Sequence, residues 1–185
     1  MTYSEVHADA VSVLKDWAAP NAAQSSLREA YLAFLDARDD VTMRSCVPGH
    51  LTASAIVLSA DRTQTLLTLH PRVGRWLQLG GHCENGDVTL AGAALREATE
   101  ESGIAELWLE PGLVQLAVHP ITCSLGVPTR HFDARFTVIA PEGAEPVRSD
   151  ESDDLAWWPL VGLPCPIDPL LADLIGLARS RTGAH

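Results

Sequence analysis

Gly81-His82-Cys83-Glu84-Asn85-Gly86-Asp87 and, further along, Leu95-Arg96-Glu97-Ala98-Thr99-Glu100-Glu101-Ser102-Gly103-Ile104 decide how this chain is to be read. A glycine-rich turn leads into a helix, and that helix ends in three carboxylates. Glu97, Glu100 and Glu101 stand at i, i+3 and i+4, which an α-helix brings onto adjoining turns of one face. Like charges so placed weaken an isolated helix by on the order of a few tenths of a kcal/mol. A divalent cation removes that repulsion, and oxygen-only ligands suit a hard ion such as Mg²⁺ or Mn²⁺.

At about 100° per residue, Leu90, Ala91, Ala94, Leu95 and Ala98 form a core-facing stripe with Glu97 and Glu100 to one side. Glu101 falls at the edge of the apolar face, where a carboxylate is costly unless paired or metal-bound. Ala93 lies between Glu97 and Glu100 in angle and is small enough to leave room for a metal–phosphate group. Gly80 and Gly81 let the backbone approach such a group closely, and Asn85-Gly86 favours a tight turn into the helix. Three helical glutamates taken alone usually mark a solvated face. Taken together as a motif, the double glycine, the Arg-Glu pair, the terminal Gly-Ile and the flanking strands make the metal reading the better one.

The stretch resembles the signature of the Nudix hydrolases, Gly-x5-Glu-x7-Arg-Glu-U-x-Glu-Glu-x-Gly-U, with U a bulky aliphatic residue. Gly81, Arg96, Glu97, Glu100, Glu101, Gly103 and Ile104 fit it, while the first acid is Asp87 and eight residues, not seven, separate it from Arg96. Within the helix an extra residue would rotate everything before it by about 100°. At Val88-Thr89 it merely lengthens a loop, which is the expected location. Gly74-Arg75-Trp76-Leu77-Gln78-Leu79 looks like the strand that delivers the turn, and Glu151 to Pro159 resembles the family's late acidic loop and tryptophan strand.

The resemblance implies a metal-dependent hydrolase that cleaves a phosphoanhydride in a nucleoside diphosphate linked to a further moiety. On that pattern Glu97, Glu100 and Glu101 bind Mg²⁺ or Mn²⁺ together with the backbone carbonyl of Gly80. Glu97 or Glu100 doubles as general base, and Arg96 orients the carboxylates. Glu151 is a further acid for the metal or base role, with Asp153 and Asp154 as rivals, although an ordinary surface loop is as good a reading of that run. Gly81, His82, Arg75, Arg130 and Arg135 are candidates for holding substrate. Trp76, Trp157 and Trp158 could stack on a base, but large aromatics in strands more often serve the core. A non-catalytic Nudix-like domain that senses a nucleotide-derived ligand is the alternative. Isomerisation of an isoprenoid diphosphate would need a reactive cysteine in a pocket, and Cys83 lies on the glycine turn instead.

The rest of the chain bounds these readings. Its 185 residues fit one domain with an accessory segment. With 24 acidic residues against 13 basic ones, of which only Lys15 is a lysine, the surface is ill suited to duplex nucleic acid. Four cysteines, with no C-x-x-C pair, indicate neither a zinc site nor a disulfide framework. No basic-then-apolar leader and no membrane-length apolar run is visible, so the expectation is a cytoplasmic protein acting on a small molecule.

Residues 1–45 read as a helical extension and 46–185 as the main domain. A helix is expected over 3–19, and a second one after a Ser26–Glu29 capping box. The extension could pack on the main domain, wall a pocket or make a homodimer contact. Strands are expected at 51–58, 65–69, near Trp76, and over 113–123, 132–140 and 155–158, with helices over 89–102 and 169–180. Asp87 or Thr89 would cap the first of these helices. The pattern predicts a Nudix-type α/β/α sandwich around a mixed sheet.

Overall fold

The structure, a computed structural model, describes residues 3–122, 126–149 and 152–181. Two helices come first, α1 (Tyr3–Asp16) and α2 (Ala22–Ala37), followed by β1 (His50–Leu58), β2 (Gln64–His70), β3 (Arg75–Leu77) and β4 (Leu79–His82). Then come α3 (Leu90–Ser102), β5 (Trp108–Leu109), β6 (Gln115–Thr122), β7 (Pro128–Ile139), β8 (Asp154–Pro159) and α4 (Leu171–Arg181). The second helix starts a turn before the expected capping box. Asn21 Oδ1 accepts the Gln24 amide at 2.9 Å, so Asn21 is the cap and Ser26 lies inside the helix.

The strands form one mixed sheet in the order β3-β2-β1-β7-β5, with β4 also paired to β1, β6 to β7 and β8 to β2. β1 runs parallel to β7 from His50↔His131 to Leu58↔Ile139, and antiparallel to β4 and β2. All nine residues of β1 are buried, as expected of a strand covered on both faces. Leu51, Ala53, Ala55 and Val57 join the core shared with α1, α2 and α3, while Ile56 and Leu58 face the core under α4. The result is the three-layer α/β/α arrangement expected from the sequence.

The N-terminal helices share the core of the main domain. Val6, Ala10 and Leu14 of α1, and Tyr31 and Leu35 of α2, are almost wholly buried in the same cluster as Leu51, Leu79 and Leu90. Tyr31 donates its hydroxyl to the carbonyls of Ala117 and Asp133 at 2.6 and 3.0 Å. Asp9 Oδ2 of α1 accepts the amide of Leu90, the first residue of α3, at 2.8 Å. A carboxylate in this position both satisfies an orphan donor and complements the helix dipole. Among the described residues no helix is long and apolar enough to cross a membrane.

Candidate active site

The turn from β4 into α3 has the geometry that its residues require. Gly86 and Asp87 donate their amides to the Glu84 carbonyl at 2.9 and 3.2 Å, closing the turn over Asn85-Gly86. Thr89 caps α3, its Oγ1 accepting the Gly92 amide at 2.9 Å. Helix α3 begins at Leu90, so the additional residue lies outside it, at Val88-Thr89, and the glutamates keep their faces. At the other end, Gly103 closes the helix with φ 64° and donates its amide to the Thr99 carbonyl at 2.9 Å.

Arg96 ties the loop to the helix. Its Nε and Nη2 donate to the two oxygens of Asp87 at 3.0 and 2.9 Å, and Nη2 also reaches the His82 carbonyl at 3.0 Å. Nη1 donates to Glu97 Oε1 and Glu100 Oε2, each at 3.0 Å. The longer loop brings the short Asp87 side chain within reach of the guanidinium. Burial alone would raise the Asp87 carboxyl, but the Arg96 hydrogen bonds, the Glu84 amide and the Arg96 charge outweigh it and hold it low.

The three glutamates differ in their surroundings. Glu97 is the buried one, at 9% exposure, with Glu101 half-buried and Glu100 exposed. Helical angles place Glu101, not Glu97, at the inner edge. The inward turn of Glu97 follows from Gly81, where a Cβ would stand 2.6 Å from the Glu97 carboxylate. Desolvation raises the Glu97 carboxyl, and the charge and hydrogen bond of Arg96 only partly oppose it. Gly80 donates its amide to Glu101 Oε2 at 2.9 Å. At Gly80, φ is 154° and a Cβ would lie 2.2 Å from that of Ser54, so no other residue fits. Ala93 is fully buried under this layer instead of opening onto it.

The remaining candidates fall in different places. Arg75 and Arg130 are exposed on β3 and β7. Arg135 is fully buried: it donates Nε to Asp133 Oδ2 at 2.8 Å and Nη1 to Gln115 at 3.0 Å, with Nη2 2.7 Å from His119 Nε2. Glu151 lies outside the described residues; Asp153 and Asp154 are exposed at the start of β8. Trp76 and Trp158 meet edge to face at 5.2 Å in the core below α4. Burial pushes the Cys83 thiol up to about 12, leaving it unreactive.

Two groupings had no signal in the linear sequence because strand register makes them. Asp133 accepts from Thr52 Oγ1 at 3.1 Å and from Ser54 Oγ at 2.8 Å, next to Arg135. His50, His82 and His131 converge from β1, β4 and β7, with ring centroids 4.8 to 5.0 Å apart. Desolvation lowers all three, His82 to about 3 and His131 to about 4, so the imidazoles are neutral.

A sequence model of the NUDIX domain matches residues 48–174. No curated protein matches the chain. The fold is similar to that of a C. elegans Ap4A hydrolase in a binary complex, with a TM-score of 0.56 at 16% identity over 73% of this chain and 98% of that one. It is also similar to the NUDIX domain of Shewanella oneidensis NrtR complexed with ADP ribose, with a TM-score of 0.54 at 21% identity over 81% and 97%. A MutT protein from Methanosarcina mazei Go1 gives 0.53 at 17% identity over 76% and 99%.

Proposed function

The chain belongs to the Nudix family and is a Nudix-type pyrophosphohydrolase, and from that premise we propose that it cleaves the diphosphate of a nucleoside diphosphate derivative with the help of Mg²⁺ or Mn²⁺. The observation that carries this reading is the joining of Glu97, Glu100 and Asp87 by Arg96, with the Glu97 carboxylate against the Gly81 backbone. The donor set fits a hard cation, since it consists of carboxylates and one carbonyl. A buried carboxylate whose neutral form is favoured by desolvation is also a group that a cation would relieve.

Glu97, Glu100, Glu101 and the Gly80 carbonyl would hold the ion. When bound, the ion neutralises charge on the diphosphate and lowers the pKa of a coordinated water. Arg96 fixes Glu97 through Oε1 and Glu100 through Oε2, and so sets the rotamers of both. One of the two receives the proton of the attacking water. Gly81, free of a side chain, lets the backbone lie against the Glu97 carboxylate, beside which the phosphate would bind. Arg75 and Arg130, both exposed, are the cations we assign to the substrate. Arg135 is assigned to holding Asp133 instead. The solved relatives named for Ap4A hydrolysis and bound to ADP ribose support a nucleotide-derived small molecule as substrate.

The test is product release from a panel of dinucleoside polyphosphates, nucleotide sugars and nucleoside triphosphates with Mg²⁺ or Mn²⁺. Metal-dependent release of a nucleotide from at least one class is expected. Tight binding of a panel member without turnover would replace the hydrolase by a ligand sensor.

A further inference from the structure

The histidine cluster stands on the face of the sheet opposite α3. Side chains alternate across a strand. Leu51 and Ala53 of β1 and Phe132 and Ala134 of β7 point to the core shared with α3, so His50 and His131 point the other way. In β4, Gly81 faces Glu97, and His82 beside it faces away. His50 and His131 are direct partners in the parallel register of β1 and β7, and His82 lies across from Thr52, two positions beyond His50. Register thus brings together three imidazoles that are far apart in sequence.

Each of the three offers one ligand nitrogen within 4.8 Å of the other two, and Nε2 of His50 lies 3.1 Å from Nε2 of His82. Imidazoles held about 2.0–2.1 Å from a tetrahedral ion have their nitrogens roughly 3.3 Å apart. One pair is already close to that spacing, and the third nitrogen lies within 4.8 Å of both. His50 Nδ1 faces the Cys46 carbonyl at 3.3 Å. A backbone carbonyl in this place fixes the proton on Nδ1, so Nε2 accepts from His82 Nε2 and would give the same lone pair to an ion that displaced that proton. His131 Nε2 is buried and has no hydrogen-bond partner among the described residues. An orphaned buried nitrogen is costly in a cluster that merely packs, by about 1–3 kcal/mol.

We propose that His50, His82 and His131 form a binding site for one divalent transition-metal ion of the zinc class. Three imidazoles without a carboxylate select zinc, cobalt, nickel or copper over magnesium or calcium. Three protein ligands also leave a fourth position for water or for an oxygen of a bound molecule. The site is chemically distinct from the carboxylates across β4, and it stands whether or not those carboxylates support hydrolysis.

The test uses the full chain freed of metal by a chelator, then titrated with Zn²⁺ and separately with Co²⁺. With the carboxylate site kept saturated by Mg²⁺, one equivalent of zinc is expected to bind. Co²⁺ is expected to give the intense visible absorption of a low-coordinate nitrogen site. His131→Ala and His82→Gln should each weaken zinc by at least the roughly 10–100-fold that loss of an outer-shell partner costs. Failure of the wild type to take up zinc at micromolar concentration, or weak octahedral-type cobalt bands, would overturn the proposal without reference to any variant. So would zinc affinity undiminished in both histidine variants, with circular dichroism matching the wild type.

Discussion

At the scale of single residues, Arg96 holds the acidic cluster of the turn and helix together. Its guanidinium meets three carboxylates and a carbonyl, at side-chain exposures of 22% for the arginine and 7% and 12% for Asp87 and Glu97. Removing one partner of a buried ion pair leaves a charge that neither water nor protein compensates. Arg96→Ala is expected to cost about 3 kcal/mol in the metal-free protein, with part of the loss recovered on adding Mg²⁺. Urea denaturation with and without Mg²⁺ measures this, and a loss under about 1 kcal/mol, typical of an exposed pair, would show that Arg96 is not the organiser. The spacing Arg-Glu-x-x-Glu-Glu made this residue legible in the sequence, down to the added residue falling before the helix. The deeper burial of Glu97 than of Glu101 was not legible, because helical angle alone does not include the Gly81 backbone pressed against one carboxylate.

At the scale of elements, α3 contains a glycine whose place is explained by its cap. A Cβ on Gly92 would lie 2.8 Å from Thr89 Oγ1, the atom that accepts the Gly92 amide. Alanine gains roughly 1 kcal/mol of helix propensity over glycine, while a lost threonine cap costs about 1 kcal/mol. The two effects cancel, so Gly92→Ala is expected to be close to neutral in the wild type. In a Thr89→Ala background the same change should stabilise by about 1 kcal/mol. Thermal or urea melts of the four proteins in this cycle check the coupling, and an equal effect in both backgrounds would contradict it. Strands β1, β2, β6 and β8 followed their β-branched and apolar runs, whereas β7 begins at Pro128, four residues before the expected start, because Pro128 to His131 pair with β6. β5, with only Trp108 and Leu109, carries too little pattern to be read, and the start of α2 went to Asn21, which competes successfully with Ser26 for the cap. The convergence of His50, His82 and His131 depends on pairing register between distant strands, which no local pattern encodes.

At the scale of the whole molecule, α1 and α2 are part of the core that positions the site. Leu14 is fully buried among residues shared with the sheet and α3. Leu14→Ala is expected to cost about 2–5 kcal/mol, a large fraction of the roughly 5–15 kcal/mol that folds a domain, as read by the urea midpoint. A cost under about 1 kcal/mol would mean that the extension is a separable appendage.

The buried histidines give the molecule a pH dependence of definite sign. His82 and His131 titrate at about 3 and about 4 when folded, against an ordinary value of 6.5, so between these limits the unfolded chain binds protons that the folded one refuses. Stability therefore falls as pH drops from about 6.5, by up to about 1.4 kcal/mol per pH unit for each proton of difference. Asp87 and Asp133, held low by Arg96 and Arg135 against burial, add their own loss below the ordinary carboxylate range. Urea melts from pH 7 to pH 4 should show the slope, and His131→Gln should flatten it. A stability that is level over this window would contradict the buried, neutral state of the cluster.

The most direct test of the central claim is steady-state turnover of the best diphosphate substrate as a function of Mg²⁺, for wild type and Glu101→Gln. Glu101 lies against the Gly80 amide, and an amide in place of its carboxylate keeps the size while removing the charge. The variant is expected to need far more Mg²⁺ and to lose on the order of 10²-fold or more in kcat, with an unchanged fold by circular dichroism. Turnover that proceeds equally in the variant, or without any divalent ion, would contradict the assignment of these carboxylates as the metal-binding centre of the enzyme.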